Sequence, residues 1–290
     1  MTIAAALAVG IMRLRSREAP PEIRSSASVD AQALLGEVLD ADRAWMLAHG
    51  SEELDGDLLD VFGLLLDERM RGVPLAYLTH QAGFYGRMFY VDERVLVPRP
   101  ETEHLLEAAL NDLRRRSSDG SGLHALDVGT GSGALALSLA AELPQLRVTA
   151  TDVCAEALAV AERNARALGL RSRVEFLACD LASQANGRRF DCVVANLPYI
   201  PTADIPLPPN PVGFEPLVAL DGGEDGLHAY RRLVEQLPQL VAPTGSAFLE
   251  AAPPATSALA GLLTRAFANA DVRIHEDYAG LSRFVSVTRA

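Results

Sequence analysis

Basic residues, aromatics and cysteines are all scarce in this chain. Lys and Arg total 26 against 38 Asp and Glu, a net charge of −12 over 290 residues. A protein that grips a phosphate backbone without regard to sequence needs a basic face, and this balance argues against one. Aromatics are 6% of the residues, a thin supply for stacking along unpaired bases. Cys154, Cys179 and Cys192 are too few and too scattered for a disulfide framework or a zinc site. They read as small buried hydrophobes. The six histidines show no metal-ligand spacing. No apolar run is long enough to span a membrane. The run Ala4 to Val9 has the character of a signal-peptide core, but no basic segment precedes it, and Arg13 and Arg15 follow it. A cytoplasmic enzyme is the expectation.

Hydrophobic residues make up 49% and charged residues 22%, a globular balance for one large domain or two modest ones. Ile3, Leu7, Ile11 and Leu14 recur at helical spacing and predict an amphipathic helix that Pro20-Pro21 stops. A second helix follows on Ala31, Leu34, Leu35, Val38 and Leu39, with Asp30 as its expected cap. Ala44, Trp45 and Leu47 predict a short third. A fourth, about Leu58 to Arg71, carries Leu58, Leu59, Phe62, Leu65, Leu66 and Met70 as one apolar stripe. These four make a small bundle, for which packing and substrate recruitment are both open roles.

After Pro74-Leu75-Ala76-Tyr77-Leu78 the period changes. Phe84 to Val91 is aromatic and β-rich around Gly86, which predicts a hairpin. Pro98 and Pro100 forbid helix until Glu101, and a helix is expected from there to about Arg115. From His124 onwards, strands and helices alternate, the signature of a parallel sheet covered on both faces. Strands are expected at 125–128, 147–151, 173–178, 191–195, 245–250, 271–275 and 284–288. Helices are expected at 132–141, 155–167, 227–240 and 255–267. The predicted organisation is thus a helical domain over 1–79, a hairpin linker over 80–100 and an α/β sheet domain over 101–290. The proline-rich stretch from Pro198 to Pro216 is long, and long loops without structure of their own tend to be functional.

The organising stretch is Phe190 to Ile200. The apolar run Cys192 to Ala195 has the length and branching of a buried parallel strand. It ends at Asn196, with Pro198 blocking further pairing. In an open α/β sheet the carboxyl ends of the strands line the ligand crevice. The Asn196 side chain offers a carbonyl acceptor and two N–H donors, enough to grip a planar amide or amino group. The quartet Asn196-Leu197-Pro198-Tyr199 resembles the (N/D)-x-P-(Y/F) motif of amino-methyltransferases.

Asp127-Val128-Gly129-Thr130-Gly131-Ser132-Gly133 follows the first strand of the sheet and opens a helix. Asp127, Gly129, Thr130, Gly131 and Gly133 are therefore candidate cofactor residues. Asp152 ends the second strand, where a carboxylate can accept both hydroxyls of a ribose, and Asp180 follows the third, placed for an adenine amino group. Gly129-x-Gly131-x-x-Ala134 also satisfies the dinucleotide fingerprint, which keeps NAD as the second cofactor. S-adenosylmethionine is preferred, because Asp127 can hold its cationic methionine end and would repel a pyrophosphate.

Beyond these motifs, Gly83-Phe84-Tyr85-Gly86, Pro98-Arg99-Pro100-Glu101-Thr102-Glu103, Phe214-Glu215-Pro216, Ala219 to Leu227 and Asp277-Tyr278-Ala279-Gly280 resemble the protein-(glutamine-N5) methyltransferases of peptide chain release factors. The resemblance covers nearly the whole chain. It implies a Rossmann-like class I S-adenosylmethionine-dependent fold, a bundle that helps dock the release factor, and a quartet that holds the glutamine of its Gly-Gly-Gln tip. Asn196, Leu197, Pro198 and Tyr199 are thereby the expected catalytic and substrate-binding residues, with Asn196 also beside the cofactor. Two departures stand out: Leu197 replaces the family's first proline, and Ala251-Ala252-Pro253-Pro254 follows Glu250 where Ile-Gly and a nearby glutamine are usual. Methylation of another protein, such as a ribosomal protein, adenine-N6 methylation of nucleic acid and non-catalytic cofactor binding remain as alternatives. Tyr199 is equally a core aromatic, and Glu215, in the long loop, reads as an exposed charge, with steering of the substrate as its other role.

Overall fold

The computed structural model describes residues 1–185 and 187–289. The chain divides into two compact units. One is Met1–Gln81 with Pro206–Glu215; the other is Ala82–Ile205 with Pro216–Ala290.

The first unit is helical: α1 (Ile3–Leu14), α2 (Pro21–Leu39), α3 (Arg43–Ala48), α4 (Gly56–Met70) and the single turn α5 (Leu75–Leu78). Ile3, Leu14, Ile23, Leu34, Leu35, Phe62 and Leu66 form its core. Asp30 is not a cap. Helix α2 starts at Pro21, a residue whose fixed φ suits the first helical position, so Asp30 lies mid-helix. There its Oδ2 accepts from Arg69 Nε at 2.7 Å and from Ser26 Oγ at 2.9 Å, while Arg69 Nη1 donates to the Val73 carbonyl at 2.9 Å. The pair is buried, at 2% and 6% exposure. In α3 the expected core residues Trp45 and Leu47 point outwards and only Met46 is buried, because six residues give too little pattern to fix a face. Leu58 likewise sits on the exposed side of α4, with Val61 and Leu64.

The hairpin β1 (Gln81–Phe84) and β2 (Arg87–Tyr90) starts at the last residue of the helical stretch and lies otherwise in the second unit. Tyr85 and Gly86 both take positive φ, the twist that matches a two-residue turn to its strands. Phe84 and Phe89 enter the core. Then come α6 (Thr102–Arg116), β3 (His124–Val128), α7 (Ala134–Glu142), β4 (Arg147–Asp152), α8 (Ala155–Ala167), β5 (Val174–Ala178), β6 (Phe190–Ala195), α9 (Leu217–Leu220), α10 (His228–Leu240), β7 (Val241–Glu250), α11 (Thr256–Ala266), β8 (Asp271–Glu276) and β9 (Ser282–Thr288).

The sheet order is β5-β4-β3-β6-β7-β9-β8, parallel except where β9 runs antiparallel to both neighbours. Alternation along the strands feeds two cores. Ala125, Cys192 and Val194 face one side, with α6 and α7; Leu126, Val193 and Ala195 face the other, with α10 and α11. Cys154 departs from expectation: it is half-exposed, whereas Cys179 and Cys192 are buried. Glu215 departs as well, being 6% exposed. The long loop is not structureless, since Thr202–Asp204 and Pro211–Phe214 form 3-10 turns. Among the described residues, no helix is long and apolar enough to cross a membrane.

A buried charge that loses its partner costs about 3–5 kcal/mol. Asp30→Ala should therefore destabilise the helical unit by that order. Replacing both Asp30 and Arg69 by leucine should recover most of the loss. Chemical denaturation of the two variants beside the parent decides it; a double variant no more stable than Asp30→Ala would contradict the account.

Candidate functional site

Chain order along the sheet reverses at β3. From there the chain builds outwards through β4 and β5, then returns to the other side of β3 as β6. Val128 stands in register with Thr151 on one side and Ala195 on the other. The Gly129 loop, Asp152 and Asn196 thus leave the sheet side by side, at the reversal where ligand crevices form. A cavity of about 320 Å³ lies there. Its lining includes Asp127, Gly129, Thr130, Gly131, Asp152, Asp180, Asn196, Leu197 and Pro198. Most of the expected site residues are therefore brought together. Gly133 and Tyr199 are not among the lining residues. Gly133 packs against Leu137 and Ala161, and Tyr199, the last residue of the quartet, is partly buried and donates its hydroxyl to Glu250.

Asp127 is 1% exposed. Its Oδ2 accepts from Thr130 Oγ1 at 2.7 Å and from the Ala136 amide at 3.1 Å, whereas Oδ1 has no partner. Burial pushes its pKa up to about 7, against the pull of those two donors. Asp152 ties the glycine loop to the next turn, accepting from the Gly131 amide and the Cys154 amide, each at 2.9 Å. Burial raises its pKa too, against these same backbone donors. Asp180 is exposed and ion-paired to Arg232, another lining residue.

Leu197 does two things. Its Cδ2 occupies the place beside Gly129, 2.7 Å from where a Cβ would stand. Its backbone is held at both ends by one hydroxyl: the Leu197 amide donates to Tyr230 Oη at 3.0 Å, and Tyr230 donates back to the Leu197 carbonyl at 3.1 Å. Tyr230 is fully buried, and that burial drives its pKa well above the ordinary value. Asn196 Nδ2 donates to Thr102 Oγ1 at 3.1 Å. Gly226 explains the acidic glycine-rich motif that follows the long loop. A Cβ there would fall 2.3 Å from the Tyr199 carbonyl oxygen, and Gly226 has φ +75. Only glycine lets this segment close against the quartet.

Thr102, Tyr230, Arg232 and the pairing role of Glu250 were not visible in the sequence. Thr102 and Glu250 fall in stretches that the sequence singled out for other reasons. Tyr230 and Arg232 carry no signal beyond their place on a predicted helix.

Residues 6–79 match the PrmC N-terminal domain, and residues 105–205 match the Methyltransferase small domain. The chain is 42% identical over 255 residues to the release factor glutamine methyltransferase of Moorella thermoacetica, covering 88% of this chain and 89% of that one. It is 42% identical over 265 residues to the release factor glutamine methyltransferase of Deinococcus radiodurans, covering 91% and 92%. Among solved structures it is similar to the catalytic domain of human hMettl16 in complex with MAT2A 3'UTR hairpin 6. That likeness has a TM-score of 0.54 at 12% identity over 79% of this chain and 92% of that one, and it bears on the fold alone.

The Asp127 carboxyl gives a stability test with a definite sign. Its folded pKa of about 7 lies above the unfolded value of 3.8. The folded state therefore holds the proton more tightly. That contribution is complete below the unfolded value and is lost as pH rises through about 7. Without ligand, the melting temperature of Asp127→Asn relative to the parent should rise from about pH 5 to about pH 8. A difference that does not change with pH would remove Asp127 as the cause.

Proposed function

The chain belongs to the release factor glutamine methyltransferase family, and on that premise we propose that it methylates the side-chain amide nitrogen, N5, of glutamine in the Gly-Gly-Gln tip of a release factor, using S-adenosylmethionine. The observation that carries this is the strand-end quartet. Asn196 lies on the cavity wall with its NH2 group already taken by Thr102, and the Leu197 carbonyl beside it is fixed by Tyr230.

The residues fit the cofactor. A buried carboxylate oxygen without a partner, Asp127 Oδ1, suits a cationic group and disfavours a pyrophosphate. The bare backbone of Gly131 has open space before it. Asp127, Thr130 and Gly131 would hold the methionine end, Asp152 the ribose, and Asp180 the adenine side. When bound, S-adenosylmethionine supplies an electrophilic methyl group on a sulfonium.

An amide nitrogen is a weak nucleophile because its lone pair is delocalised into the carbonyl. Asn196 Oδ1 and the Leu197 carbonyl accept its two N–H groups, which fixes the nitrogen and turns the lone pair towards the methyl. Fixing reactants in attack geometry is worth about 7–11 kcal/mol. One hydrogen bond to the transition state is worth about 3–4 kcal/mol. Positioning therefore outweighs any single contact, and the quartet needs no base to begin the reaction. Pro198 stiffens the turn, and Tyr199 packs behind it. The helical unit is the proposed docking surface for the protein substrate, with Leu58, Val61 and Leu64 exposed along α4. Net charge −12 and the absence of Lys or Arg between Ile200 and Leu227 favour a protein substrate over nucleic acid.

Asp152→Ala should weaken S-adenosylmethionine binding by about 1.5–3 kcal/mol, the scale of hydrogen bonds to a charged group. Calorimetry that finds unchanged affinity in a folded variant would refute the ribose assignment.

Asn196→Ala should lower turnover about a hundredfold or more and leave cofactor affinity nearly intact. The assay transfers labelled methyl to a release factor, to the same factor with its Gly-Gly-Gln glutamine replaced, and to total RNA. Label in RNA, or in the glutamine-less factor, would overturn the substrate.

A further inference from the structure

We propose that the cleft at the amino ends of β3, β4 and β5 is a binding site for a compact oligophosphate anion. It lies at the opposite end of the sheet from the cofactor cavity. Arg147 starts β4 and Asp152 ends it, so the strand sets the two sites about 16 Å apart. The cleft has a volume of about 830 Å³, and four arginines, Arg147, Arg171, Arg173 and Arg188, line it with one acid, Glu175. This local excess of positive charge stands in a chain of net charge −12. The chain contains no lysine, so its 26 Lys-plus-Arg residues are all arginine.

The four arginines are not equally committed. Arg188 is held by both oxygens of Glu175, whose Oε2 also accepts from Thr149 Oγ1 at 3.1 Å. Glu175 is thereby occupied. Arg171 reaches Glu162 at 3.3 Å, and Glu162 is shared with Arg166 at 2.6 Å. Arg173 is anchored by carbonyls: its Nη1 donates to Leu143 at 3.1 Å and to Pro144 at 2.8 Å, and no acid pairs with it among the described residues. Those two bonds fix its guanidinium without neutralising it. Arg147 is exposed, and its side chain has no hydrogen bond or ion pair among the described residues. His124 adds no charge, because burial and the neighbouring Arg188 hold its pKa below the ordinary value.

The chemistry of the lining selects the ligand. A guanidinium offers a planar fork of N–H donors that matches the oxygens of a phosphate or a carboxylate. Here the forks come from four separate positions. A phosphate has acceptor oxygens on every side, whereas a carboxylate has them along one edge. Neighbouring strands are about 4.8 Å apart, so three strand ends span only about 10 Å. That length suits two or three linked phosphates. A nucleic acid strand needs a longer basic track, and the acidic remainder of the chain would repel it.

The test is calorimetry at low ionic strength, on the full chain saturated with S-adenosylhomocysteine so that the other cavity is filled. Inorganic triphosphate should bind with a Kd below about 1 mM. Arg147→Gln removes a side chain that makes no bond in the fold, and it should weaken binding at least about fivefold; Arg147→Glu should weaken it at least about twentyfold. Arg273→Gln, which removes an exposed arginine outside the cleft, should leave the affinity within about twofold. Guanosine triphosphate bound more tightly, with the same loss in Arg147→Glu, makes the source of the phosphates a nucleotide; equal binding makes it inorganic polyphosphate. No binding at about 5 mM triphosphate, parent-like affinity in both Arg147 variants, or an equal loss in Arg273→Gln would overturn the site. A single-stranded RNA or a glutamate-rich peptide that binds more tightly than triphosphate, and loses that affinity in Arg147→Glu, would overturn the ligand.

Discussion

Everything at the site depends on how closely two strand ends approach. The loop after β3 and the quartet after β6 leave neighbouring strands, and the Leu197 side chain fills the space that a Gly129 side chain would need. Gly129 is bent to φ +74, and its amide and that of Thr130 both donate to the Thr151 carbonyl at 2.9 Å. The cofactor loop is thereby locked to β4 on one side and packed against the quartet on the other. Neither half can shift without the other. Leu197, the residue that departs from the family's proline, is therefore not a passive replacement. A proline cannot donate a backbone N–H. Leucine can, and Tyr230 receives it. The rigidity that the ring would supply through φ is supplied here by a hydrogen bond on each side of one hydroxyl.

The fold is legible in the sequence because the signals that specify it are local. Alternating apolar runs, glycines after a strand and proline after Asn196 all act within a few residues, and the seven strands fall close to their expected places. The quartet and the glycine loop can be paired from their positions in the chain alone, since each marks a strand end. What stays hidden are the partners. Asn196 finds Thr102 across 94 positions, and Leu197 finds Tyr230 across 33. Nothing in a strand pattern specifies which distant hydroxyl meets which backbone group. Short helices fail for a different reason. In α3, one turn and a half does not distinguish an inner face from an outer one. Asp30 reads as a cap because capping residues and buried ion-pair acids are the same residue types. Only the position of Arg69 separates the two.

Two buried carboxyls, Asp127 near the end of β3 and Glu250 at the end of β7, are each pushed up to about 7. An acid in that condition is under-stabilised by the protein itself. One oxygen of each has no partner, so each retains the capacity to respond to what arrives. The remaining acids are handled otherwise. Asp152 is satisfied by backbone amides, and Asp180 by Arg232 at the surface. The site thus keeps its unsatisfied charge where water is excluded and an added hydrogen bond counts most.

The helical unit is assembled from two stretches of chain, Met1–Gln81 and Pro206–Glu215. The second stretch docks closely: a Cβ on Gly72 would lie 2.0 Å from the Pro209 carbonyl oxygen. During synthesis the helices emerge first, and their core, which runs from Ile3 to Leu66, can collapse at once. Their contact surface is completed only after residue 215 has left the ribosome. By then β3 to β6 and the quartet have already been made. The part of the protein that is translated earliest is therefore finished only after four of the seven sheet strands have been made, and it is finished by a segment that begins shortly beyond Asn196-Leu197-Pro198-Tyr199.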